Sequence, residues 1–156
     1  MKIGASKIRG ISLLDVAMSF AAVSILVSFT VPTHLDTTVR QRVDLGMALA
    51  EDARLALEHT CRSNASAVVS DNLDAGYFYI PSGGANDYAR RILLGADCAA
   101  REMAIVLWTT HTGAAVDPVL EWAGEVNGEE INWTCHLILG DVRHVPGECR
   151  NSYQTS

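Results

Sequence analysis

Four cysteines are the residues of this 156-residue chain with the most evident chemistry: Cys61, Cys98, Cys135 and Cys149. No two of them stand in the C-x-x-C spacing of redox and zinc motifs, and an even number of separated cysteines is typical of disulfides in an exported protein. Three pairings are possible. We predict Cys61–Cys98 and Cys135–Cys149, because joining neighbours along the chain closes two compact loops.

Zinc binding is the alternative chemistry for the same thiolates, since His136 and His144 lie close in sequence to two of the cysteines. The lack of paired ligand spacing and the expected oxidising compartment argue against it. The sequence also has no Gly-x-Ser-x-Gly elbow, phosphate-binding loop or His-Glu-x-x-His motif. We therefore predict a protein that is not an enzyme, with no catalytic residue, no metal and no cofactor.

The charges are divided unevenly along the chain. Lys2, Lys7 and Arg9 lie in the first ten residues, and no lysine follows Lys7. Residues 11–156 carry nine arginines against 18 acidic residues, a net charge of -9. Because nucleic acids are held mainly by neutralising their phosphates, we expect no direct nucleic-acid binding.

The stretch from residue 16 to residue 35 contains no charged residue. Twenty residues of helix span about 30 Å, the thickness of a bilayer core. The basic residues before it predict a single-pass inner-membrane helix with a cytoplasmic N-terminus. A removable signal peptide is the alternative, but residues 28–31 form a poor cleavage site. Asp15 lies at the start of the run, where a carboxylate is costly and is usually functional.

The first 32 residues resemble the class III leader of type IV prepilins. A short basic leader ends at Gly10, and Ile11, Ser-Leu-Leu and Asp15 follow it. The resemblance implies cleavage after Gly10 by a prepilin peptidase, N-methylation of Ile11, and a role for Asp15 in setting the register of assembly. It also implies a helix kink at Pro32. The family more often has Phe at the first mature position and Glu in place of Asp15.

The C-terminal region resembles the disulfide-bounded D-region of type IVa pilins. The matching residues are Trp133-x-Cys135 and Val145-Pro146-x-x-Cys149. Together the two resemblances imply an α+β, pilin-like fold, in which a long N-terminal helix kinked near Pro32 packs on an antiparallel β-sheet head. The expected divisions are a leader (1–10), a helix (11–60, anchor and assembly core in 11–35, amphipathic in 36–60) and a head (61–156) with its D-region at 135–149.

Within the head, the sequence predicts short strands at 77–80 and 103–110 and a hairpin around Asn127-Gly128. With those two residues as the turn, Trp122 lies opposite Trp133 on one face, and Glu125 lies opposite Glu130 on the other. Two facing carboxylates destabilise a hairpin. A bound cation could relieve this, but two solvated side chains are the simpler interpretation.

The resemblance implies a structural subunit of a type IV pilus, which supports adhesion and twitching motility. Its partners would be other pilin subunits, a prepilin peptidase, the inner-membrane assembly machinery, and the membrane before assembly. Before assembly it would lie in the bacterial inner membrane, and afterwards in an extracellular filament. The alternatives are a minor pilin, a type II secretion pseudopilin, or a membrane-anchored periplasmic binding domain that does not polymerise.

Overall fold

The computed structural model describes residues 13–84, 87–128 and 130–150, and within these it leaves the side chains of residues 15 and 26–33 undescribed. Helical backbone is followed by a β-sheet and two short 3₁₀ turns, which we call η1 and η2. The elements are α1 (Leu13–Ser63), β1 (Val68–Val69), β2 (Ala89–Asp97), β3 (Glu102–Thr109), β4 (Val119–Asn127), β5 (Glu130–Leu139), η1 (Val142–His144) and η2 (Gly147–Cys149).

The five strands form one antiparallel sheet in which every strand lies beside its neighbour in the chain, in the order β1-β2-β3-β4-β5. Short turns suffice for such a meander, because antiparallel neighbours need no crossover. One face of the sheet is buried. Its central row runs from Leu94 through Ile105 and Trp122 to Cys135.

The helical residues from Asp36 onward cover this buried face. Val39, Val43, Ala50, Ala53 and Leu57 recur at steps of three, four or seven residues and are buried in the core that the sheet shares. This spacing places one apolar stripe on the sheet and leaves the opposite stripe exposed. The amphipathic pattern predicted for residues 36–60 is therefore present.

The long helix predicted from the pilin resemblance is wrong as a description of the fold. The backbone is α-helical over Leu13–Ser63. The chain also divides into two compact units, Met1–Leu35 and Asp36–Ser156. The helical residues that cover the sheet belong to the second unit, and the predicted pilin-like fold, with one long helix packed on a β-sheet head, is wrong.

The predicted membrane anchor is corrected as well. Among the helical residues that the structure describes, no stretch is both long enough and apolar enough to cross a bilayer. The predicted single-pass inner-membrane localisation depended on such a stretch and is therefore wrong.

Both predicted disulfides are present. Cys61 pairs with Cys98, with their Cα atoms 5.2 Å apart, and Cys135 pairs with Cys149 at 4.5 Å. The first joins the end of α1 to the end of β2. The second joins β5 to η2, so each disulfide ties the sheet to an element outside it.

The hairpin of β4 and β5 has the predicted faces but not the predicted partners. Trp133 lies opposite Gly124 and not opposite Trp122, because the register is displaced by two residues. A Cβ on Gly124 would approach the indole of Trp133 to 2.8 Å. The ring thus occupies the space that only glycine leaves open, whereas two facing indoles would compete for it.

The strand predicted at 77–80 is not a strand in the structure. This segment has no ladder partner among the described residues and is held through a side chain, because the single proton of the Tyr79 hydroxyl is shared between Asp87 and the Ala89 carbonyl. Burial raises the pKa of Tyr79, and its hydrogen bond to Asp87 adds to that effect.

Candidate assembly surfaces

The first candidate surface is the helical stretch of residues 13–25, which we call the apolar segment. Its large apolar side chains are exposed, from 42% at Val16 to 87% at Leu13. Covering these side chains would yield on the order of 10 kcal/mol, because each contributes about 1.5–3 kcal/mol when fully buried. The side chains are Leu13, Leu14, Val16, Met18, Phe20, Val23 and Ile25. Patches of this kind usually mark an interaction site.

The structure does not test the roles predicted for the residues in and around this segment. Gly10 and Ile11 lie outside the described residues. Asp15 and Pro32 lie on helical backbone, but their side chains are not described. Leader cleavage, N-methylation, pairing of Asp15 and the kink at Pro32 therefore stay predictions.

The second candidate surface is the loop closed by the disulfide between Cys135 and Cys149, which we call the disulfide loop. Its interior is firmly packed, because Val145 and Cys149 are fully buried. The turn η1 is capped by Asp141, whose side chain accepts a hydrogen bond from the backbone N–H of Arg143. The loop thus has a defined shape that can be presented to a partner.

Ionic contacts fasten the disulfide loop to the start of the helix in the second unit. Nε2 of His144 lies 3.2 Å from Oδ1 of Asp36, and Arg143 lies 3.8 Å from the other oxygen of Asp36. Arg40 donates to the Arg143 carbonyl at 2.7 Å. Arg143 also pairs with Asp141 at 2.7 Å, and its hydrogen bonds lower the pKa of Asp141 to about 2. These contacts set the position of the loop.

Sequence reasoning missed this arrangement. The spacing of Asp36 and Arg40 favours a pair along the helix, but each makes its contacts with the disulfide loop, about a hundred residues away. The same holds for Glu58, which does pair with Arg54 as its spacing indicates (3.6 Å). Glu58 also accepts a 2.8 Å hydrogen bond from the Trp133 indole, and no local pattern could reveal that partner.

The face of the sheet opposite the helix carries a row of acidic side chains. Asp97, Glu102 and Glu125 are successive cross-strand partners, and Glu125 also lies opposite Asn132. The predicted pairing of Glu125 with Glu130 is therefore wrong. Within the described ranges, no group of three or more His, Cys, Asp or Glu side chains is placed to hold a metal ion. The row is a solvated surface.

No protein-family model matches the chain, and no solved structure matches it significantly.

Proposed function

We propose that this chain is a filament subunit of the type IV pilus class, which assembles with other copies through the apolar segment. The observation that carries the proposal is the position of that segment. The exposed apolar side chains of Leu13 and Leu14 lie three and four residues after Gly10, where a leader-like sequence ends. The exposed apolar segment thus lies close to the peptide bond after Gly10. Cleavage of that bond would allow other copies to cover the segment.

Cleavage after Gly10 changes the charge of the N-terminus in the direction that assembly needs. It removes Lys2, Lys7 and Arg9 and leaves one new ammonium on Ile11. That ammonium can pair with the Asp15 carboxylate of another copy. Because a buried carboxylate without a partner is costly, the pair would favour the one stagger that brings the two groups together. N-methylation keeps the charge and so preserves the pair.

The second unit suits the outer part of such a filament. Its sheet and helix share one core, and two disulfides link α1 to β2 and β5 to η2. A small exported domain gains stability from disulfides without needing a larger core. The disulfide loop is held by Asp36 and Arg143 and can form part of the filament surface.

A minor subunit or a secretion pseudopilin is the second candidate. It is favoured by one observation, the aspartate at position 15. Asp is one methylene shorter than the Glu usual in the family, so its carboxylate reaches less far toward the amine of another copy. A subunit needed in few copies tolerates a weaker register contact than a shaft subunit.

Processing is the decisive test of the proposal. The full chain is co-expressed with a prepilin peptidase, and its mass is measured intact. We expect the wild-type chain to lose residues 1–10, Gly10→Ala to keep them, and the matched control Gly4→Ala to be processed normally. A wild-type chain that keeps its first ten residues would remove the proposal.

The role of Asp15 needs a separate measurement. Filaments are sheared from expressing cells, identified by peptide sequencing and quantified by electron microscopy. We expect Asp15→Ala to lower their yield at least tenfold and Asp15→Glu to retain it. Normal processing with an undiminished yield for Asp15→Ala would refute the register argument while the subunit proposal stands.

A further inference from the structure

A groove of about 430 Å³ is lined by residues of the helix of the second unit, the sheet and the disulfide loop. Its lining includes Met47 and Trp122 and the acidic residues Asp44, Glu51 and Glu148. We call it the acidic groove. An indole beside carboxylates is suited to a cation on an apolar stem, above all the planar guanidinium of arginine.

Asp44 and Glu148 are not paired with the positive charge that lines the groove. Arg54 also lines the groove, but it lies 2.8 Å from Glu51 and 3.6 Å from Glu58 and so is already paired. Neither Asp44 nor Glu148 makes an ion pair or a side-chain hydrogen bond with any residue that the structure describes. The groove therefore presents negative charge that a partner can neutralise.

A recess of opposite charge lies at the end of α1. Among the residues that the structure describes, its lining includes Arg62, Arg101, the Cys61–Cys98 disulfide, Val126 and Ile131 and no acidic residue, and its volume is about 540 Å³. We call it the arginine recess. Arg101 has no side-chain partner among the described residues, and its φ of 64° is unusual for a residue other than glycine. Arg62 contacts Glu58 at 3.4 Å but is 65% exposed.

We propose that the acidic groove of one copy receives Arg62 and Arg101 of a second copy. The occupant is argued from charge: after residue 10 the chain has twice as many acidic residues as arginines, yet the described residues that line this recess include two arginines and no acid. Complementary patches select their partner and fix its register. The inference rests on the proposed function, because it names a contact between subunits of the same filament.

The contact joins two different surfaces and so can repeat without limit. Asp44 and Arg62 lie 18 residues apart in the same helix, about 27 Å along its axis. A copy that offers its arginine recess to one neighbour keeps its acidic groove open for another. Such head-to-tail contacts build rings or helical filaments, whereas a contact of one patch with itself stops at a dimer.

Carbodiimide coupling tests this contact directly, because the chain contains no lysine beyond residue 7. Arg62→Lys and Arg101→Lys each introduce one lysine into the processed protein, which has lost Lys2 and Lys7 with residues 1–10, and Arg90→Lys serves as a matched exposed control. Equal amounts of ¹⁴N- and ¹⁵N-labelled protein are mixed, coupled and digested. We expect mixed-isotope peptides that join the lysine at position 62 or 101 to Asp44 or Glu148, and none from the control.

Other coupling patterns would overturn the contact. These are coupling only to other carboxylates, coupling only within one isotope, or equal coupling by the Arg90→Lys control. As a second readout, Asp44→Asn combined with Glu148→Gln should lower the yield of filaments about fivefold, since both opposing charges are lost. Reversing the charges on both sides together should restore the yield, and failure of that rescue would contradict the proposal.

The outcomes separate this inference from the proposed function. Processed wild-type protein that forms filaments but couples elsewhere removes only this contact. Coupling at Asp44 or Glu148 in a chain whose leader is never cleaved supports the contact and speaks against the pilus proposal.

Discussion

Adding a single methyl group at Gly124 tests how the hairpin is held. A Cβ at this position would lie 2.8–2.9 Å from three atoms of the Trp133 ring, closer than real Cβ contacts come. The indole must therefore move away from β4. Its Nε1 now donates to Oε1 of Glu58 at 2.8 Å, so a displaced ring also loses that hydrogen bond.

The cost has two parts. Overpacking a well-filled site costs about 1–3 kcal/mol, and a hydrogen bond to a charged group contributes about 1.5–3 kcal/mol. Glu58 keeps Arg54 and Arg62 as partners, so we take the lower part of both ranges. We expect Gly124→Ala to lower the free energy of unfolding by about 3 kcal/mol, and the melting temperature by roughly 6–12 °C.

Urea unfolding of the oxidised protein, followed by tryptophan fluorescence, measures this change. Gly147→Ala is the matched control, because a Cβ there meets no atom within 4 Å. In a Trp133→Ala background, Gly124→Ala should cost little, since the clash is gone. The same loss of stability in both backgrounds, or a loss below about 0.5 kcal/mol in the wild type, would refute the packing argument.

Three further changes test the rest of the second unit. Cys149→Ala opens the loop closed at Cys135 and should cost about 3 kcal/mol in denaturant unfolding, as expected for a loop of about 15 residues; unfolding that matches the wild type would contradict this. Burial alone would raise the pKa of Asp87, but its hydrogen bonds outweigh that effect and lower the pKa. Asp87 therefore stabilises the folded protein fully above the usual pKa of 3.8, and this stabilisation is lost as the pH falls through the lower pKa of the folded state. In a plot of the free energy of unfolding against pH, Asp87→Asn should make the decrease at acidic pH less steep. Asp36→Asn should cost less than about 1 kcal/mol yet speed hydrogen exchange in the disulfide loop around His144, and unchanged exchange would show that the loop is held without it.

Local patterns predicted some elements of the second unit and missed others, since β1 and β2 were not predicted and residues 77–80 do not form a strand. The amphipathic spacing over 36–60 and the alternation in β4 and β5 depend only on near neighbours, and both are present. The disulfide pairs followed from chain order alone, because each cysteine pairs with its nearest neighbour. The alternating pattern of a strand does not identify the partner of each residue on the adjacent strand. If the pairing of two strands is displaced by two residues, every side chain stays on the same face.

The cross-strand partner of Trp133, which the sequence pattern did not predict, is determined by tertiary contacts. Gly124 leaves room for Trp133, and Glu58 accepts the hydrogen bond of the indole 75 residues away in sequence. The strand predicted at 77–80 failed for a similar reason, because Tyr79 is fastened to Asp87 through its side chain and not through a ladder. The contacts of Asp36 with the disulfide loop likewise join distant parts of the chain. These partners become visible only when the fold brings them together.

The net charge of the chain sets a condition on any filament it forms. Copies that each carry -9 after residue 10 repel one another, but at physiological ionic strength this repulsion fades over about 8 Å. Contacts shorter than that distance must therefore place opposite charges face to face. Burial of the apolar segment can hold copies together but does not fix their relative position, because burial of apolar area is not directional. Register must then come from charged pairs, and the arginine recess is a place where the second unit can supply the positive partner.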